Sequence, residues 1–220
     1  MKTAILFGAT GLIGNNLLEL LLVNNDYSKI KIFTRKPINN LHPKLEIHVV
    51  NFNKIDDFAN KISGDECFFV IGTTRNLTPK KQDYIDVELN IPKKISKIAK
   101  DKNINTFIYV SSGGANPESR NLYLQNKGKV EQYIINLKFE FLAIIQPSLL
   151  LGNRKNFRMG ESIAKLIFKN LSFLFIGKLR PFKAIQANIV AMAIMIIIKN
   201  NKKDIYFSSD KLEDIANMNI

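Results

Sequence analysis

Tyr123 and Lys127 stand one helical turn apart, downstream of a strand-like segment that ends Tyr109-Val110-Ser111-Ser112-Gly113-Gly114. At i and i+4 on a helix the two side chains share a face, so an ammonium beside the phenol favours its ionised form. A phenol that normally titrates near ~10 then becomes a usable acid or base closer to neutrality. A serine hydroxyl at the strand end, Ser112 with Ser111 as the fallback, can hold a carbonyl or alcohol oxygen beside that phenol. Such a trio is the proton-transfer half of a carbonyl–alcohol interconversion. Tyr27 and Lys31 repeat the spacing but straddle the start of a strand, where neither faces a ligand at the strand ends.

The elements that must position this trio begin at the amino end. Gly8-Ala9-Thr10-Gly11-Leu12-Ile13-Gly14 follows the apolar run Ala4 to Phe7 and leads into Leu17 to Val23, which has helical apolar spacing. Strand, glycine turn and helix in that order form a dinucleotide site: Gly8 allows the tight turn, Gly11 lets the backbone approach a pyrophosphate, and Gly14 lets helix and strand pack closely. Free amides and the positive dipole end at the helix start then hold the phosphates.

Short β-rich runs alternate with helix-length segments along the chain, the pattern of a parallel sheet covered on both faces. Strands are expected near Thr3 to Phe7, Lys31 to Thr34, Leu45 to Val50, Cys67 to Ile71, Thr106 to Ser111, Glu140 to Ile145 and Ile205 to Ser208. Helices are expected over Gly11 to Val23, Asp86 to Lys100, Leu122 to Asn136, Glu161 to Phe168 and Ala187 to Lys199. The fold class is therefore α/β, a Rossmann-type doubly wound parallel sheet of order 3-2-1-4-5-6, with the ligand over the strands' carboxyl ends. Residues 1–220 read as one NAD(P)-binding domain, in which 147–220 contribute most of a small substrate-binding region.

Each strand end can then be read for cofactor chemistry. The second ends Thr34-Arg35-Lys36, where a preference for NAD calls for an acidic residue on the ribose hydroxyls. Arg35, helped by Lys36, suits the 2′-phosphate of NADP instead, so NADP(H) is expected ahead of NAD(H). Asn51 and Phe52, after the third strand, suit the adenine edge and face, and Gly72, Thr73 and Thr74 permit close passage of the cofactor after the fourth.

Composition narrows the classes. The net charge of +13 is spread along the chain without a recognition motif, so nucleic acid is not an expected partner. Arg154, Lys155, Arg158, Lys178, Arg180 and Lys183 cluster in the last third, which leaves an anionic substrate open beside a plain solvated face. The run Ile189 to Ile198 is about ten residues against the roughly 20 needed to span a bilayer, so no membrane partner is expected. Polar residues interrupt the first apolar run too early for a signal peptide, and the chain reads as cytoplasmic. Cys67 is the single cysteine, which excludes an internal disulfide, and His42 and His48 lack clustered partners, so no metal site is expected.

Taken in order, these motifs resemble the short-chain dehydrogenase/reductases, and among them the atypical members of the Tat-interacting oxidoreductase branch, an NAD(P)H-binding, epimerase-like group. The resemblance rests on Gly8 to Gly14, Ile71-Gly72-Thr73-Thr74-Arg75, Ser111 to Ala115, Tyr123-Leu124-Gln125-Asn126-Lys127-Gly128-Lys129-Val130-Glu131 and Pro147-Ser148-Leu149-Leu150-Leu151-Gly152, and covers most of the chain. It implies an NADP(H)-dependent oxidoreductase acting on a small carbonyl substrate, with Ser112, Tyr123 and Lys127 as the catalytic triad and Pro147 and Ser148 lining the nicotinamide. Gln146 departs from the arginine, and Asn51 from the aspartate, that the branch usually shows. Asn90 could stand for the asparagine of a proton relay, but Pro92 is expected to disturb its helix. About 70 residues follow Pro147, fewer than sugar-nucleotide epimerisation usually employs. The alternative is a non-enzymatic NADP(H)-binding redox sensor or scaffold. A homodimer through Leu122 to Asn136 is open, although the apolar positions there equally suit packing on the sheet.

Overall fold

The computed structural model describes residues 1–39, 41–152 and 177–218. The helix expected over Glu161 to Phe168, the basic residues Arg154, Lys155 and Arg158, and the side chain of Lys178 lie outside the described residues. Seven parallel strands form the main sheet: β1 (Lys2–Phe7), β2 (Tyr27–Thr34), β3 (Leu45–Val49), β4 (Glu66–Phe69), β5 (Thr106–Val110), β6 (Phe141–Gln146) and β9 (Tyr206–Ser208). Their order is β3-β2-β1-β4-β5-β6-β9, the expected order with the last strand added beyond β6. Two short strands, β7 (Leu150–Leu151) and β8 (Ile185–Gln186), pair separately.

Parallel strands buried on both faces need continuous apolar runs, and alternate residues here serve two cores. Ala4, Leu6, Ile30, Ile32, Ile108, Ile145 and Phe207 face one layer, built from α1 (Leu12–Val23), α5 (Ala187–Lys199) and α6 (Ser209–Asn217). Ile5, Phe7, Phe33, Cys67, Phe69, Phe107, Tyr109 and Ile144 face the other. That second layer holds the 3₁₀ segment Ile55–Lys61, α3 (Ile91–Asp101) and α4 (Leu122–Asn136). Val130 and Ile134 of α4 are fully buried there against the sheet, whereas Leu122, Leu124 and Ile135 stay partly exposed.

The expected helix over Asp86 to Lys100 is longer and differently wound. It starts with α2 (Lys81–Ile85), passes through a π-helical stretch, Asp86–Asn90, and continues into α3 without a break. Pro92 does not end it but disturbs its winding, as expected. A proline ring clashes with the carbonyl four residues earlier, here that of Glu88, and lacks the N–H to bond it. The wider π turn, in which Ile91 N–H donates to Asp86 O, carries the chain past that conflict. It also turns Glu88 fully inward.

Candidate active site

The glycine turn has the geometry that its residue types demand. Gly8 has φ +98°, and a Cβ on it would stand 2.9 Å from the carbonyl carbon of Val70 on the chain leaving β4. A Cβ on Gly14 would lie 2.0 Å from Gly8 O, so only glycine lets α1 approach the turn. Gly11 caps α1 with no side-chain hydrogen bond, and the first turn carries no acidic residue. The amides of a 12-residue helix thus open on the exposed Thr10 and Gly11. This cradle fits a pyrophosphate. Leu12 is half-buried, and the side chain of Ile13 is buried in the core, so any contact of Ile13 with a ligand is through its backbone.

The other cofactor positions fall along the same edge. Arg35 and Lys36 are exposed after β2, where the Thr34 hydroxyl donates to Lys36 O at 2.8 Å and shapes the turn. Asn51 is exposed and its Oδ1 accepts from Asn53 N–H at 2.9 Å. The Phe52 ring lies edge-on to Phe7 and Phe58, at 6.3 and 5.8 Å between centroids, so part of its surface belongs to the core. Thr73 N–H donates to Glu88 Oε1 at 2.5 Å, and Gly72 lies beside the same carboxylate. Pro147 O accepts from Gly113 N–H at 2.8 Å, which ties the ends of β5 and β6 together. The Ser148 hydroxyl is engaged by the carbonyls of Phe182 and Lys183, at 2.8 and 2.7 Å, and its N–H donates to Ser209 Oγ. Ser148 therefore fastens this loop to the C-terminal region, leaving mainly backbone to face a ligand.

The segment between β5 and α4 aims the proposed triad. Asn121 Oδ1 caps α4 by accepting from Tyr123 N–H at 2.9 Å and Leu124 N–H at 3.3 Å. A Cβ on Gly128 would come 2.3 Å from Pro117 N, so the loop lies directly on the helix at that glycine. Ser111 and Ser112 separate sharply. Ser111 is buried and its hydroxyl donates to Glu131, whereas Ser112 is half-buried and makes only a long 3.4 Å contact to Gly113 O. Ser112 is thus the serine free for a ligand.

Lys127 is only 3% exposed. Its ammonium lies 5.9 Å from the Tyr123 ring centroid and 5.1 Å from that of Tyr109, and donates to Val110 O at 3.3 Å. Glu88, 0% exposed, answers the charge with Oε2 at 3.2 Å from Lys127 Nζ. Burial works against the ammonium, but Glu88, Tyr109 and Tyr123 outweigh it and hold the lysine pKa above its usual value. Lys127 is therefore charged at neutral pH. Because Glu88 shares that charge, Tyr123 faces an ion pair rather than the lone ammonium that the i, i+4 spacing implied.

Glu88 is the functional residue that the sequence reading missed. Its only local signal was an acidic residue four before a proline, which does not reveal a partner on α4. Asn90, weighed for the relay, instead donates to Asp86 Oδ1 at 2.6 Å on the exposed side.

A second buried carboxylate stands one turn beyond Lys127. Glu131 accepts from Ser111 and, at 3.0 and 3.2 Å, from Gln146 Nε2, so it joins the ends of β5 and β6. Burial raises its pKa, against the hydrogen bonds from Ser111 and Gln146 and the charge of Lys127. A folded-state pKa above the unfolded value of 4.5 means that the folded chain holds the proton more tightly. The associated stability is present below that unfolded value and is lost as pH rises through the raised one. Unfolding free energies of wild type and Glu131→Gln should accordingly diverge as pH rises above about 4.5, wild type losing ground. A constant difference across that range refutes the assignment.

The expected basic cluster resolves in part. Arg180 pairs with Asp214, and Lys183 Nζ lies 3.0 Å from Glu213, both acids being on α6. These two cations are spent locally rather than converging on a ligand. Among the described residues no group of three or more His, Cys, Asp or Glu could hold a metal, and no helix is long and apolar enough to cross a membrane.

Comparison with known proteins agrees with this geometry. The family model described as NAD(P)H-binding matches residues 8–165. Protein HTATIP2 of Rattus norvegicus is 33% identical over 174 residues, spanning 77% of this chain and 72% of that protein. The mitochondrial protein FMP52 of Debaryomyces hansenii is 32% identical over 183 residues, spanning 82% and 79%. Among solved structures, UDP-glucose 4-epimerase from Thermotoga maritima with UDP-glucose superposes with a TM-score of 0.69 at 12% identity, over 98% of this chain and 82% of the epimerase. MoeE5 in complex with UDP-glucose and NAD gives 0.68 at 13% identity, over 98% and 81%. At such identities the structures establish the Rossmann-type fold alone. The motif resemblance to the Tat-interacting branch is borne out by the first two relatives.

Proposed function

Because this chain belongs to the NAD(P)H-binding family, we propose that it is an NADP(H)-dependent reductase of the atypical short-chain dehydrogenase/reductase type, acting on a small carbonyl compound. The observation that carries the reading is the charged, buried Lys127 beneath the Tyr123 ring, at the strand end where Ser112 opens. A sensor that only binds a nucleotide needs no such proton donor.

In this reading the amides from Gly8 to Gly14 hold the pyrophosphate, and Arg35 with Lys36 holds the 2′-phosphate. Asn51 and Phe52 border the adenine, Gly72, Thr73 and Thr74 flank the path towards the nicotinamide, and Pro147 and Ser148 close it. NADPH held by these residues would supply the hydride for the carbonyl carbon. Tyr123 gives its phenolic proton to the carbonyl oxygen, and Lys127 stabilises the phenolate left behind. Ser112 donates a hydrogen bond to the same oxygen and fixes its direction. Glu88 holds Lys127 in place and charged. UDP-sugars accompany the solved neighbours, whereas for this chain we keep a small carbonyl compound as the substrate. We also keep a cytoplasmic location. Imaging of the tagged chain decides between that and the mitochondrial designation of the FMP52 relatives.

Titration with NADPH and NADH tests the cofactor assignment, and the absence of tryptophan leaves nicotinamide fluorescence uncluttered. NADPH should bind more tightly, and Arg35→Ala should raise its Kd about tenfold to a hundredfold, the worth of charged hydrogen bonds, while moving that of NADH less than about twofold. An equal loss for both nucleotides, or a preference for NADH, refutes the role of Arg35.

A further inference from the structure

Arg75 directly follows Gly72-Thr73-Thr74, on the turn that leaves the carboxyl end of β4. That turn is tied by Leu77 N–H and Thr78 N–H, which donate to Thr74 O at 3.0 and 2.9 Å, and by the Thr73 and Thr78 hydroxyls, 2.8 Å apart. The guanidinium carbon sits 5.3 Å from the centre of the Tyr84 ring, on α2. Tyr84 is buried, and its phenol is pushed up to about 12, chiefly by that burial. Glu88 and Tyr123 add to the rise, and Lys127 and Arg75 oppose it. The groups within electrostatic reach of Tyr84 are thus those of the reaction centre together with Arg75.

Charge accounting leaves this arginine, next to the reaction centre, uncompensated. Lys127 is answered by Glu88, Arg180 by Asp214 and Lys183 by Glu213. Arg75 is exposed, and among the described residues it makes no ion pair; the neutral phenol gives it a ring face but no counter-charge. A ring contact of this kind takes up no N–H charge, so the guanidinium keeps its N–H groups for a carboxylate, which it holds through two parallel bonds. One uncompensated positive charge matches a monoanion.

We infer that Arg75, stacked on Tyr84 beside the Tyr123–Lys127 pair, anchors a carboxylate borne by the substrate. This rests on the reductase reading above and gives it a substrate class: small carbonyl compounds that carry a carboxylate. Arg75 then determines which carbonyl compounds are accepted, while Tyr123, Lys127 and Ser112 carry the proton chemistry.

The test uses 2-, 3- and 4-formylbenzoate, which sample the spacing between aldehyde and carboxylate, each beside its methyl ester. Binding to the NADP⁺-loaded protein is measured by calorimetry, without turnover, and reduction is followed with NADPH. At least one formylbenzoate should bind at least about tenfold more tightly than its ester, as expected for charged hydrogen bonds. Arg75→Met should bring that ratio close to one, Arg75→Lys should keep part of it, and the Kd of NADP⁺ should move less than about twofold in both. Three results overturn the inference: no advantage of any acid over its ester in wild type, an equal loss for acid and ester in Arg75→Met, or a weakened NADP⁺ that reassigns Arg75 to the cofactor phosphates. Selective binding of an acid without reduction of any aldehyde leaves the anchor standing and refutes the reductase reading instead.

Discussion

Tyr123→Phe should lower the turnover of any carbonyl substrate by about 10²–10⁴-fold, the usual contribution of a positioned general acid, and leave the Kd of NADPH within about twofold. The expectation follows from where the hydroxyl stands. The backbone of Tyr123 is fixed by the Asn121 cap and α4 by the loop lying on Gly128, neither of which uses the phenolic oxygen. Phenylalanine keeps the ring and its contact with the Lys127 ammonium while deleting the proton. The loss should therefore appear in kcat with little change in KM, as for an interaction made in the transition state. Parallel single-turnover and binding measurements separate the two quantities. Full activity in Tyr123→Phe refutes the proton donor, and a protein that binds NADPH but reduces no carbonyl compound is instead the redox sensor or scaffold.

Glu88→Ala should cost about 3–5 kcal/mol of unfolding free energy, the penalty for leaving one partner of a buried ion pair alone. Lys127 is 3% exposed and would lose the only carboxylate it pairs with among the described residues. Thr73 N–H would lose its acceptor in the same change. Urea denaturation of the single variants and of Glu88→Ala/Lys127→Met measures the coupling, because removing both charges removes the orphaned ammonium. The double variant should be markedly more stable than the sum of the single losses predicts. Strict additivity would mean that the 3.2 Å pair contributes nothing. Glu88→Gln preserves an acceptor for Thr73 and should unfold less readily than Glu88→Ala. The same carboxylate joins the loop after β4 to Lys127, so reductase activity should fall in Glu88→Gln even where the fold survives.

Local rules explain what could be read without coordinates. Gly8, Gly11 and Gly14 meet steric demands within one turn, Tyr123 and Lys127 share a helix face by spacing alone, and the apolar runs must be buried parallel strands. The seven strands of the main sheet and the span of α4 follow from such short-range signals, and crossover rules give the order of six of those strands but not the place of the last. Other features depend on what the chain meets after long excursions. Glu88 needed the π turn before Pro92 and the approach of α4 before it could meet Lys127. The choice of Ser112 over Ser111 needed Glu131, which captures the neighbouring hydroxyl. The pairing of Arg180 and Lys183 needed α6, a nine-residue helix whose short apolar face, Leu212, Ile215 and Ala216, says nothing of which cations its acids will meet. Residue types and spacing thus determined the fold and the juxtaposition of Tyr123 with Lys127. Tertiary structure decided which charges are compensated, because a buried ion is stabilised by whichever opposite charge the fold brings near, and that partner has no fixed distance along the chain.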